Sequence, residues 1–154
     1  MKVYKFGGTS VGSVARMKNV AQLISNDTPK IVVLSATAGT TDHLVKISAH
    51  LFNREIDQAH DEITKLEFQF VDFINELIED HILKQQAIDY ILERFRTVWN
   101  YTKKSFTFAD EKEILAQGEL ISSAVLPAVL PARAGFTLPV QTSDIPAESV
   151  RYAF

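Results

Sequence analysis

A glycine pair directly behind a short apolar segment constrains the fold of this chain more than any other feature. Residues 2–6, KVYKF, are rich in Val, Tyr and Phe and predict a strand, which Gly7 and Gly8 end. Apolar residues then recur at helical spacing over residues 14–24. The β-branched run IVVLSA at residues 31–36 predicts a second strand, covered on both faces. Strand, helix and strand in this order form a βαβ unit, whose two strands are parallel.

The middle of the chain is predicted to be helical, because neither glycine nor proline interrupts residues 42–101. Its apolar residues form three successive stripes at helical spacing, so we expect three amphipathic helices packed together. A fourth helix is expected to begin at a capping box of Asp110 and Glu113 and to end near Pro127. Four of the five prolines lie beyond residue 126, where one short strand is predicted near residues 136–142.

Composition and charge exclude several classes of protein. The chain has 154 residues, of which 46% are hydrophobic and 23% charged, as is typical of a folded soluble domain. A net charge of -3 with scattered basic residues argues against a nucleic-acid surface. The absence of cysteine excludes disulfides, thiolate metal sites and a cysteine nucleophile. No apolar stretch suits a signal-peptide core or a membrane span, so we predict a cytoplasmic protein without nucleic-acid or membrane partners.

The loop KFGGTSVG, residues 5–12, is predicted to bind phosphate. Glycines let the backbone approach an anion, the free N–H groups of a helix start point towards it, and Lys5 adds a positive charge. The glycine spacing matches a Walker A loop, but Ser13 stands where that loop requires lysine. We therefore expect a nucleotide site of another geometry, with Thr9 or Ser10 capping the following helix. An edge-strand lysine before a tight turn is the alternative.

The loop SATAGTTDHL, residues 35–44, follows the second strand and carries several hydroxyl groups. Open α/β sheets bind their ligands at the carboxyl ends of strands. Ser35, Thr40 and Thr41 are therefore candidates for hydrogen bonds to a carboxylate or a phosphate. A helix cap at Thr40 or Thr41 is an equally good explanation, and both explanations can hold together.

The segment AQGELISS, residues 116–123, places a glycine inside the predicted fourth helix. Gly118 costs about 1 kcal/mol there relative to alanine, so we expect another part of the chain or a ligand to approach its backbone closely. Glu119 borders the apolar stripe of the same helix. Taken alone, Glu119 is explained better by a solvated surface position than by a functional one.

Together, KFGGTSVG, SATAGTTDHL and GELISS resemble the aspartokinases of the amino-acid kinase family, over about residues 1–126. The resemblance implies an α/β fold, a three-layer α/β/α sandwich that is truncated here and carries a large helical segment at about 42–101. The proline-rich tail at residues 127–154 is assigned no packing. The implied reaction transfers the γ-phosphate of ATP, bound with Mg²⁺, to the side-chain carboxylate of L-aspartate. Its product enters lysine, threonine and methionine biosynthesis.

The resemblance also implies roles for individual residues. The ATP-binding residues are Lys5, Gly7, Gly8 and Ser10. The residues near the aspartate are Ser35, Thr41 and Glu119. Lys5 is the catalytic candidate, since it also stabilises the charge of the transferring group, and Glu119 holds the positive amino group of the substrate. No protein ligand to the metal is implied, because Mg²⁺ comes with the ATP phosphates and water.

The tail departs from the pattern of the family. Ala132 and Arg133 echo a segment whose arginine binds the substrate carboxylate, but order and spacing differ, so Arg133 receives no role. Aspartokinases are longer than this chain, and some are fused to a homoserine dehydrogenase, so we expect an amino-terminal portion that lacks full activity alone. The alternatives are a non-catalytic binding or dimerisation module, whose exposed sheet edge and helical faces would form a homo-oligomer, and a kinase for another carboxylate.

Overall fold

The computed structural model describes residues 2–26 and 28–130, and within them the helices greatly outnumber the strands. In chain order the elements are β1 (Lys2–Phe6), α1 (Gly8–Val11), α2 (Val14–Ile24), β2 (Lys30–Leu34), α3 (Thr40–Phe52), α4 (Ile56–Leu77), α5 (His81–Tyr101), α6 (Phe108–Val125) and a 3-10 helix (Leu126–Val129). The strand–helix–strand start and the three long helices of the middle segment confirm the order predicted from the sequence. The strand predicted near residues 136–142 lies outside the described residues.

The two strands form a parallel sheet, as the βαβ prediction required. Lys5 of β1 lies opposite Val33 of β2 in the register. The outer face of this sheet remains open in the described part of the chain, where Val3, Ile31 and Val33 are 62%, 44% and 43% exposed. The prediction that the second strand is covered on both faces is therefore wrong for the described residues. A continuous apolar run shows that both faces can be buried, but it does not show what buries them.

The three middle helices pack in sequence, α3 against α4 and α4 against α5, and α6 packs against both α3 and α5. Their apolar stripes supply much of the core, including Ile47 of α3, Ile63 of α4 and Phe95 of α5, all fully buried. Polar contacts between helices border this core. The Trp99 indole N–H donates to the Glu67 carboxylate at 3.0 Å, which fixes α5 against α4.

The N-cap of helix α6 lies three residues earlier in the chain than predicted. Thr107 is the N-cap, since its hydroxyl accepts from the Asp110 N–H at 3.3 Å while the Asp110 carboxylate accepts from the Thr107 N–H at 2.8 Å. The predicted box of Asp110 and Glu113 is therefore wrong, because Asp110 closes the box instead of opening it. The predicted stop near Pro127 is confirmed, since α6 ends at Val125. No described helix is both long and apolar enough to cross a bilayer.

Candidate functional site

The loop after β1 turns into the short helix α1 before α2 begins. The Gly7 carbonyl accepts from the Ser10 N–H at 2.8 Å. Neither predicted cap, Thr9 nor Ser10, caps the main helix: Ser13 does, by accepting from the Arg16 N–H at 3.4 Å. The Arg16 guanidinium also donates to the Thr9 carbonyl at 2.9 Å. The first turn of α2 therefore holds the glycine loop in place.

Two glycines of this loop are required by contact with the loop after β2. A Cβ atom on Gly8 would lie 2.7 Å from the Ala36 carbonyl oxygen, and one on Gly12 would lie 2.8 Å from the Ala38 Cβ. Both distances are shorter than van der Waals contact, so no larger residue fits without moving one of the loops. Gly7 differs, since a Cβ there would have no atom within 4 Å among the described residues.

The loop after β2 is closed by hydroxyl groups on its own threonines. Thr37 Oγ1 and Thr40 Oγ1 lie 2.6 Å apart, and the Thr40 side chain is buried. The N-cap of α3 is Gly39, which has a left-handed φ of 85°, so the predicted caps at Thr40 and Thr41 are wrong. A left-handed residue at this position favours glycine, because side chains clash in that conformation.

Helix α6 packs on this loop through the glycine that the sequence singled out. A Cβ on Gly118 would lie 2.7 Å from the Ala36 Cβ and 3.3 Å from the Thr40 Cγ2. One turn further on, the buried Ser122 hydroxyl donates to the Gly118 carbonyl at 3.0 Å and accepts from the Thr37 N–H at 3.1 Å. Ser122 thus ties α6 to the loop, a role that sequence reasoning missed. Its position four residues after Gly118, on the same face, was the available signal.

The structure therefore brings the three predicted segments together at the carboxyl ends of the two strands. The loop after β2 lies between the glycine loop, which it meets at Ala36 and Ala38, and helix α6, which it meets at Gly118 and Ser122. The Ser35 N–H donates to the Phe6 carbonyl at 3.0 Å, which continues the sheet by one bond and fixes the start of the loop.

The predicted polar residues are distributed around this junction. Lys5 lies exposed on the open face of the sheet, Ser35 is half-buried, and Thr41 and Glu119 are exposed on the first turn of α3 and on α6. None of the described hydrogen bonds or ion pairs involves the side chains of these residues or of Ser10. Thr37, Thr40 and Ser122 hold the junction, whereas the predicted side chains keep their polar groups available.

Comparison with known proteins shows the family to which this chain is similar. The sequence model of the Amino acid kinase family matches residues 1–150. The aspartokinase of Chlamydia trachomatis is 33% identical over 131 residues, which are 80% of this chain and 26% of that protein. The lysine-sensitive aspartokinase 3 of Escherichia coli is 29% identical over 132 residues, which are 85% of this chain and 28% of that protein. The chain thus spans about a quarter of the length of these relatives.

Two solved structures of E. coli aspartokinase III also resemble the described fold. The complex with lysine and aspartate gives a TM-score of 0.67 at 23% identity, and the complex with aspartate and ADP gives 0.62 at 28% identity. Each comparison covers 84% of this chain and 28% of the other. The described residues therefore have the fold of the corresponding part of those enzymes, mostly helical around a small parallel sheet.

Proposed function

The chain belongs to the amino acid kinase family, and from this membership we propose that it carries the amino-terminal part of an aspartate kinase. The proposed reaction transfers the γ-phosphate of ATP to the side-chain carboxylate of L-aspartate, a step towards lysine, threonine and methionine in the cytoplasm. The observation that carries the proposal is the meeting of three motif segments at the carboxyl ends of the strands, where open α/β sheets bind ligands.

The ATP phosphates are proposed to bind at the glycine loop. Gly7 leaves open space beside the backbone, and Lys5 on the adjoining strand supplies a positive charge that no described residue neutralises. Phosphoryl transfer depends mainly on positioning and on charge neutralisation, so Lys5 is the proposed catalytic residue. Gly8 and Ser10 complete the loop, although Gly8 also has a packing role.

Mg²⁺ is proposed to arrive bound to ATP. Within the described ranges, no three or more His, Asp or Glu side chains gather closely enough to hold a metal ion. Mg²⁺ retains several waters and commonly binds through substrate phosphates, so the chain needs no ligand cage of its own. When bound, the ion would neutralise phosphate charge beside Lys5.

The aspartate is proposed to bind on the other side of the loop after β2. Ser35 and Thr41 offer hydroxyl groups for its carboxylates, and Glu119 offers a carboxylate for its positive amino group. Gly118 holds α6 against Ala36, and this contact keeps the Glu119 backbone next to the loop. The specificity for aspartate over other carboxylates is part of the proposal.

The complete fold is proposed to be a three-layer α/β/α sandwich, in which residues 1–126 form the amino-terminal part of the kinase domain and residues 127–154 form a proline-rich tail. The exposed outer face of the sheet supports a further layer. Val3, Ile31 and Val33 together present apolar surface there, and apolar sheet faces are normally covered in such folds. The helical segment at 42–101 belongs to the proposed domain.

Thermal protection by Mg-ATP tests the phosphate site. We expect Mg-ATP to raise the melting temperature of the chain, because a ligand that binds only the folded state stabilises it. Lys5→Ala should abolish the rise. Lys2→Ala is the matched control, since Lys2 is an exposed lysine at the other end of the same strand, and it should keep the rise.

Two results would contradict the proposal. One is a melting temperature that Mg-ATP leaves unchanged in the wild-type chain. The other is an equal loss of protection in Lys2→Ala and Lys5→Ala. That result would show that protection depends on the overall positive charge and not on Lys5 itself. Formation of aspartyl phosphate from aspartate and ATP would further separate an active kinase from a module that only binds nucleotide.

A further inference from the structure

A cleft of about 450 Å³ lies between the turn that joins α3 to α4 and the turn that joins α5 to α6. Its apolar wall includes Leu51, Ile56, Phe52 and Phe106. The Phe52 and Phe106 rings meet edge to face, with centroids 4.8 Å apart. Phe52 also packs against the Phe108 ring, with centroids 5.0 Å apart, and is still 37% exposed, so part of an aromatic surface faces the cleft.

The polar side of the same cleft is cationic. Arg54, Lys103 and Lys104 line it, and no acidic residue among those the structure describes does. Lys104 is paired with Asp110 at 2.8 Å, whereas Arg54 and Lys103 take part in no ion pair with any described residue. Two positive charges therefore remain available beside the aromatic wall.

Acidic side chains in or beside the two turns have partners of their own. Glu55, next to Arg54 in the chain, lies 2.6 Å from His50 Nδ1, and Glu113 accepts a hydrogen bond from the Tyr101 hydroxyl. Glu55 and Glu113 are thus engaged with a histidine and a tyrosine, and Asp110 with Lys104. The excess of positive charge in the cleft therefore comes from two residues, Arg54 and Lys103, and not from one.

The backbone of Arg54 gives an independent reason to expect a use for its side chain. Arg54 is the one non-glycine residue in the described part of the chain with a positive φ, at 61°. It stands just after α3, where the Glu55 N–H donates back to the His50 carbonyl at 2.8 Å, and this helix-ending turn favours glycine. An arginine held in a conformation that suits glycine suggests that the guanidinium is needed.

We propose that this cleft is a second ligand site, which takes a small molecule with an aromatic ring and a carboxylate or phosphate group. The Arg54 guanidinium and the Lys103 ammonium bind the anionic group through charge-assisted hydrogen bonds. The ring of the ligand packs against Phe52 and Phe106. The cleft volume lies within the range of small-molecule pockets.

Titration with phenyl phosphate, followed by backbone amide NMR shifts, tests the proposal. We expect shifts at the two turns, residues 51–56 and 102–108. Arg54→Gly should weaken binding by about tenfold, the loss expected for one charge-assisted hydrogen bond, and this variant suits the turn and should fold. Lys112→Ala removes an exposed lysine outside the cleft and should leave the dissociation constant unchanged.

Two further probes separate the contributions of ring and charge. Inorganic phosphate lacks the ring and phenol lacks the charge, so each should bind more weakly than phenyl phosphate. The proposal is overturned if shifts are absent from the two turns at millimolar phenyl phosphate, or appear only at residues 5–12. Equal binding by Arg54→Gly and the wild-type chain would overturn it as well.

Discussion

Replacing Gly118 with alanine tests how tightly α6 packs against the loop after β2. The new Cβ would lie 2.7 Å from the Ala36 Cβ and 3.3 Å from the Thr40 Cγ2. The Ala36 Cβ has no flexible end that could swing away, so α6 or the loop must shift by roughly 1 Å to reach ordinary carbon–carbon contact. Adding a methyl group to such a site costs about 1–3 kcal/mol. The higher helix propensity of alanine returns about 1 kcal/mol.

We therefore expect Gly118→Ala to lower the free energy of unfolding by about 0–2 kcal/mol, measured by urea denaturation. Ala116→Gly is the matched control, because Ala116 is an exposed position of the same helix. It should cost about 1 kcal/mol from propensity alone. Ala36→Gly in the Gly118→Ala background should recover part of the loss, which a double-mutant cycle would detect as coupling between the two positions.

The sign of the change in unfolding free energy for Gly118→Ala shows whether α6 packs closely on the loop after β2. If Gly118 were only an unfavourable residue in an otherwise free helix, alanine would stabilise the chain by as much as Ala116→Gly destabilises it. That outcome, without coupling to Ala36, would refute close packing of α6 on the loop. It would also remove the reason for placing Glu119 beside the predicted substrate residues.

Two further predictions concern polar groups in the core. Burial and the hydrogen bond to Glu113 raise the pKa of Tyr101 to about 12, so the unfolded tyrosine ionises first and stability should fall as pH rises from about 10 to about 12. The fall should reach at most about 2–3 kcal/mol in denaturation curves and should disappear in Tyr101→Phe; equal curves for both proteins would contradict the assignment. The Ser48 hydroxyl is buried without a hydrogen-bond partner among the described residues, so Ser48→Ala should leave the unfolding midpoint unchanged or raise it, and a clear loss of stability would show a missed partner.

The elements of this fold were predictable from periodicity, whereas their caps were not. Three stripes of apolar residues identified α3, α4 and α5, because burial of one helix face requires that spacing. All three predicted caps were wrong. Ser13, Gly39 and Thr107 cap the helices instead. Several neighbouring side chains can each satisfy a free N–H group, and the choice among them depends on the backbone path, which periodicity does not report.

The junction between the motifs was predictable only in part, because the sequence pattern does not report which elements meet. Because glycine is unfavourable inside a helix, Gly118 indicated that another group approaches the helix closely. It did not indicate which residues approach it. Ser122 and Thr37 are 85 residues apart in the chain, and a serine in an apolar helix gives no sign of such a distant partner. Long-range hydrogen bonds of this kind follow from the packing of elements, so they become visible only when the elements are placed.

Gly7 separates the packing role of the glycine loop from its proposed binding role. Its φ of -74° is open to any residue, and no described atom lies within 4 Å of where its Cβ would be. Neither backbone conformation nor contact with the described residues therefore requires glycine there, in contrast to Gly8 and Gly12. The remaining physical reason for a glycine is the approach of a group that is not part of these residues. The phosphate that we propose beside Lys5 is such a group, and it would use the space that a Cβ on residue 7 would fill.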